Sequence, residues 1–230
     1  MNSSDDEIFW VISNYNYDPE QVIDAIKTPN YCVYDQSDES YIEVFNEKRI
    51  KYKRTSHTGH NISDYLQYII ENYNDLPERV GFIKGNIFPR HIGKKIFEAR
   101  IVQKGFIPLY SDVKTYKPKY HRFLKWKLVS QRVAPGLYME LANNWYVKTR
   151  KKGKRYKLFS DFFEHFFGIS PPKYITFVPG ACMIVTRDKI LDHNLRMYRE
   201  LYETVTYDFF PVEAFHAERS MLYLFKYLSE

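Results

Sequence analysis

The chain carries only two cysteines among 230 residues, too few for a disulfide scaffold. Cys32 and Cys182 each fall inside an apolar run that reads as a strand, which predicts two buried free thiols and a reducing compartment. No apolar run approaches the ~20 residues that cross a bilayer. The first residues have neither the basic region nor the apolar core of a secretory leader, so the expectation is a soluble, cytoplasmic chain, at most peripheral to a membrane. The seven histidines show no His-x-His or His-Glu-x-x-His spacing, which removes support for a zinc site. Gly-x-Ser-x-Gly, the P-loop and any internal repeat are absent too, so serine-hydrolase and P-loop chemistry have no residues to rest on.

Aromatic and basic residues are plentiful. Aromatics make up 18% of the chain, with 21 Tyr and 17 Phe, and tyrosine joins a flat apolar face to a hydroxyl suited to sugars and bases. The net charge of +6 favours an anionic partner: nucleic acid, a nucleotide, a phosphorylated lipid or an anionic membrane surface. The charge is uneven, for residues 147–157 (VKTRKKGKRYK) hold seven basic side chains while the N-terminus is acidic. At 44% hydrophobic, the chain can bury the core of a single domain over residues 1–230.

"EIFWVISNYNYDPEQVIDAI" reads as a buried strand, a loop and a helix with Asp18 as N-cap and Pro19 at the first helical position. A second strand follows at 31–34, and strand, helix, strand at this spacing predicts a parallel βαβ unit. Alternation in "YIEVFNEKRIKYKR" suggests a hairpin or edge pair about residues 46–48. Next come a helix over 62–73 capped by Asn61 or Ser63, a buried strand from Arg79 running to Asn86, a helix closed by Gly105 and a short extended "FIPLY". From 111 to 157 the periodicity gives way to a basic, aromatic excursion, either substrate-facing or partly disordered. A helix in "LFSDFFEHFFG", two strand-like runs about Pro179-Gly180 and two helices at about 187–204 and 212–228 complete an α/β domain with a mixed, mostly parallel sheet.

In such sheets ligands bind beyond the carboxyl ends of the strands. The loops concerned hold Asn14 and Tyr15, then Asp35, then Gly59, His60, Asn61 and Asp64 at a helix start with Tyr65 following, and Lys84, Gly85 and Asn86. Gly59 would let backbone approach a ligand, the helix start offers free N–H groups, and Asp35 would accept from a ribose or base. Each residue also has a plainer reading: Asn14 and Asp35 as turn-formers, Tyr65 and Tyr68 as packing residues.

The segment "GHNISDYLQYIIENYNDLPERVGFIKG" resembles the hallmark of a group of uncharacterised bacterial and fungal domains, Tyr-Leu-x-x-Ile-x-x-Asn-Tyr-x-x-Leu-Pro followed by an apolar strand. "VPGACMIVTRDKIL" and "HAERSMLYLF" are similar to that group's later segments, so the likeness covers Trp10–Asn86 and Tyr174–Phe225 but not the middle. His60 and Asn61 stand where that pattern has Arg-Glu, and Lys84 and Cys182 each stand for a Gln. The group in turn resembles GT-A fold (Rossmann-like) glycosyltransferases of the branching N-acetylglucosaminyltransferase and xylosyltransferase type. That resemblance implies a nucleotide-sugar donor, UDP-sugar first, held by the opening strands. It implies a glycan or lipid-linked acceptor lined by "GACMIVTR", inverting transfer with Glu218 as general base, and a place in cell-surface, capsule or capsid polysaccharide synthesis. Glu213 is the rival base and His216 could orient either carboxylate.

No Asp-x-Asp pair follows the strand at 79–84, so a divalent metal is possible but not expected; Asp35 and Asp38, or Asp112, would be its nearest ligands. Lys151, Lys152, Arg155, Arg187 and Arg219 are the cations available for a diphosphate or anionic acceptor. A different class remains: "KTYKPKYHRFLKWK" with "KTRKKGKRYK" could neutralise phosphates and stack bases as a nucleic-acid-binding module, although no nucleic-acid motif accompanies it.

Overall fold

The computed structural model describes residues 7–111, 130–142 and 154–227. Most of the expected excursion, with Asp112, Lys151 and Lys152, lies outside them.

Four strands run parallel in spatial order: β3 (Tyr52–Arg54), β2 (Tyr31–Asp35), β1 (Ile8–Asn14) and β4 (Arg79–Lys84). β9 (Met183–Thr186) is antiparallel to β4 and β5 (Ile107–Pro108) closes the six-stranded sheet beyond it. The sheet is therefore mixed and mostly parallel, and helices flank it on both sides, which explains why its strands read as continuous apolar runs. Val11, Phe82, Met183 and Val185 face one core together with α3 (His60–Asn72), α7 (Leu195–Val205) and α8 (Val212–Leu222). Their neighbours Trp10, Ile12, Ile83 and Ile184 face the other with α1 (Glu20–Ile26), α2 (Ile42–Glu47) and α4 (Lys94–Ile101). The period of two along each strand sorts the side chains between these layers.

A three-stranded antiparallel sheet, β6 (Ser130–Ala134), β7 (Leu137–Leu141) and β8 (Tyr174–Phe177), lies beside α8. α5 (Phe159–Phe167) packs Phe159 and Phe163 against Ala142 and Ile175.

Six expectations are corrected. Residues 42–47 are helical and lead into a parallel strand rather than forming a hairpin, because Phe45 is buried against Tyr52 while β2 already offers an unpaired edge. α3 begins at His60, so Asn61 and Ser63 lie inside its first turn; the N-cap is Gly59, whose φ of 68° suits a residue without Cβ. Pro19 occupies the cap of α1, with Asp18 accepting from Glu20 N at 3.1 Å. The helix expected at 187–204 is two, α6 (Arg187–Leu191) and α7, divided where Asn194 caps α7 by accepting from Met197 N at 3.0 Å. Within the supposed aperiodic stretch, β6 and β7 form a hairpin about Pro135-Gly136. Both thiols are free, Cys182 buried and Cys32 only half-buried.

Candidate active site

Parallel pairing fixes which loops meet. Asn14 pairs with Asp35, Ser13 with Lys84, and β9 enters the sheet with Met183 opposite Phe82, so the Gly180 turn just before it stands at the carboxyl end of β4. Asn14, Asp35, Lys84, Gly85 and the start of α3 are thereby brought to one edge.

The β2–β3 side of that edge is a buried polar network. Asp35, fully buried, accepts from Asn14 Nδ2 at 3.1 Å and Ser37 Oγ at 2.5 Å on one oxygen, and from Arg54 at 2.5 Å on the other. Its partners are thus all within the chain, and it holds the loops in place. Gln36 Nε2 donates to His60 O at 2.9 Å, fastening the start of α3 to the end of β2. Asp64, also fully buried, accepts from Ser13 Oγ at 2.5 Å and Thr55 Oγ1 at 2.9 Å. Burial pushes its carboxyl up to about 7, against the opposing pull of bonds from Ser13, Gln36 and Thr55. Asn14 Oδ1 is buried without a hydrogen-bond partner and lies over Gly85, where a Cβ would come within 2.1 Å of it.

The β4–β9 side centres on Gly180 (φ 79°). Its N–H donates to Glu218 Oε1 at 2.8 Å, and its carbonyl accepts from Asn61 Nδ2 at 3.1 Å. A Cβ there would lie 3.0 Å from the His91 ring. Tyr65 is buried beside Cys182 and Asn61, and burial raises its phenol well above the usual range. Burial likewise pushes the Cys182 thiol up to about 11, against the pull of the nearby Lys84 charge. Glu218 is half-buried, and its Oε2 takes no hydrogen bond from the described residues.

Above the edge lies a run of rings from three loops. Tyr15 stacks on His57 at 4.7 Å, His57 meets Phe209 at 3.9 Å, His60 stacks on Phe209 at 5.2 Å and meets Phe210 at 3.9 Å. Tyr15 and Phe210 keep 42% and 39% of their surface exposed, an apolar and π-rich face of the kind that stacks a base or a pyranose ring. Gly59 N donates to Asp208 O at 2.8 Å and joins two of these loops.

Residues 10–229 match the family described as "Protein of unknown function (DUF3431)". The chain belongs to DUF3431. No curated protein and no solved structure matches it.

In this DUF3431 chain most of the remaining sequence candidates sit elsewhere. Glu213 is fully buried and accepts from Arg155 N at 2.8 Å, Tyr156 N at 3.3 Å and the Tyr207 hydroxyl, which leaves it an anchor for residues 155–156. His216 is buried between Phe159 and Phe162, and burial pushes its imidazole down to about 3, so it is neutral. Arg219 is buried against Glu140 and lies over the Phe177 ring at 5.1 Å. Arg187 follows β9 at the opposite edge of the sheet, where Thr186 pairs with Arg79, and binds Glu78. Arg155 reaches Thr204 Oγ1 at 3.2 Å. Asn86 follows Gly85 in the turn and is half-buried.

Among the described residues no group of three or more His, Cys, Asp or Glu side chains is arranged to hold a metal ion. Both Asp35 oxygens already accept hydrogen bonds from the chain, and Asp38 accepts from Asn16 at 2.7 Å. No helix among the described residues is long and apolar enough to cross a membrane. Two shallow depressions, about 450 and 380 Å³, lie away from the polar edge, one by α4 and Pro135 and one around Glu7, Trp10 and Arg79.

Sequence reading missed His57, Phe209, Phe210 and His91. "DFFP" before the last helix was the available signal, an aromatic pair ahead of a helix-starting proline.

Proposed function

We propose that the chain is a GT-A-like glycosyltransferase that moves a sugar from a nucleotide-sugar donor to a glycan hydroxyl with inversion, at the edge where β1, β2 and β4 end. The observation that carries this reading is Glu218. Of the two carboxylates proposed as base it is the one with an open oxygen: Gly180 N–H fixes Oε1, while Oε2 is left to take a proton. Glu213, by contrast, is enclosed and already bonded at both oxygens.

In the proposed step the acceptor hydroxyl gives its proton to Glu218 as its oxygen attacks the anomeric carbon. A fixed carboxylate needs little reorganisation at that moment. The exposed rings of Tyr15 and Phe210 provide the stacking surface for the donor base or a sugar.

The first test is a thermal-shift panel of UDP-, GDP- and dTDP-sugars alongside a short single-stranded oligonucleotide. Stabilisation by a nucleotide sugar supports the transferase; stabilisation by the oligonucleotide alone would replace it with the nucleic-acid reading. With the donor known, Glu218→Gln is expected to lower transfer by roughly 10² to 10⁴ while donor affinity stays within a few fold. Near-wild-type transfer by that variant removes Glu218 as base.

A further inference from the structure

Four cations around the sheet are committed to carboxylates, and Arg79 and Arg100 to backbone carbonyls. Arg54 binds Asp35, Lys53 binds Glu71, Arg187 binds Glu78 and Arg219 binds Glu140. Lys84 is different. It ends β4, in the middle of the candidate edge, with Ser13 of β1 beside it on one side and the approach to β9 on the other. Its side chain is half-buried, yet its ammonium makes no hydrogen bond or ion pair with any described residue. It stands close enough to Cys182 for its charge to act on that thiol, which places it beside the Gly180 turn that holds Glu218.

A lysine at a strand end whose ammonium has no carboxylate partner among the described residues is placed to meet an anion that arrives with a ligand.

Resting on the transferase reading above, we propose that Lys84 is the diphosphate-binding group of this site and neutralises the leaving group. In the step concerned a bond forms between the acceptor oxygen and the anomeric carbon, and the bond from that carbon to the β-phosphate oxygen breaks. The acceptor proton passes to Glu218. The electron pair of the broken bond stays on the phosphate oxygen, so the nucleoside diphosphate departs with one more negative charge, which the Lys84 ammonium meets. Arg187 at the far edge and Arg219 in its ion pair are not placed for this task.

Calorimetric titration of the full chain with UDP, GDP, dTDP and inorganic pyrophosphate tests this on the wild type, Lys84→Met and Lys84→Arg. Loss of a charge-assisted contact should weaken diphosphate and pyrophosphate binding by roughly 10- to 100-fold in Lys84→Met. Lys84→Arg should recover most of it. If Lys84→Met binds the diphosphates as tightly as the wild type, the Lys84 assignment is overturned while the transferase reading stands. If the wild type binds none of the three nucleoside diphosphates and no pyrophosphate, both are overturned. A melting curve identifies a misfolded Lys84→Met, in which case Lys84→Gln supplies the same neutralisation and is judged by the same two outcomes.

Discussion

Asp64→Asn isolates a buried charge at the candidate edge. Asp64 is fully buried, and burial lifts its carboxyl from the ordinary 3.8 to about 7 in the folded state. Between those values the folded protein holds a proton that the unfolded chain has released, so this group's contribution to stability falls as pH rises through the window. Above pH 7 both states are ionised and the penalty levels off. At 1.36 kcal/mol per pH unit it amounts to about 4 kcal/mol. Asparagine has the shape of the protonated acid and can keep contact with the Ser13 and Thr55 hydroxyls. Urea melts of both proteins at two pH values supply the assay: the advantage of Asp64→Asn over the wild type should widen by about 3 kcal/mol from roughly pH 4.5 to pH 8. His216 titrates in the opposite sense, since the unfolded chain binds a proton below 6.5 that the folded one refuses until about 3. It is present in both proteins and drops out of their difference. A constant gap across pH, or one that narrows as pH rises, would refute the claim that a buried, proton-holding carboxyl sits at position 64.

Two further outcomes follow from where the cations lie. Arg219→Met should destabilise by about 3 to 5 kcal/mol in denaturant melts, because it breaks the buried ion pair with Glu140, and adding Glu140→Leu should recover much of the loss. Arg187→Ala should leave nucleoside diphosphate affinity unchanged in calorimetry and cost at most about 1 kcal/mol of stability, since its pair with Glu78 is solvent-screened; a large loss of affinity would contradict its position at the opposite edge.

Much of the candidate edge was legible in the chain. Apolar runs at 8–12 and 80–83 can be buried on two faces only in a sheet covered by helices on both sides, and parallel strands bring their carboxyl ends together. The convergence of Asn14, Asp35 and Lys84 therefore follows from composition and spacing. The 3.6-residue period of "NISDYLQYII" likewise determined α3, whose Ile62, Leu66 and Ile69 are all buried. What the tertiary structure decided was the use made of each polar group. "GACMIVTR" reads as a strand in either direction, and only its antiparallel pairing with β4 carries Gly180 to the candidate edge and Arg187 away from it. Glu213 and Glu218 lie five residues apart on one helix and look alike as letters, but one turns toward Arg155 and Tyr207 and the other toward Gly180. The ring cluster draws on loops at 15, 57–60 and 209–210, and the Glu140–Arg219 pair spans two elements far apart in the chain. Local pattern reports how a segment pairs with itself. The partner of a side chain is set by which distant segment is packed against it.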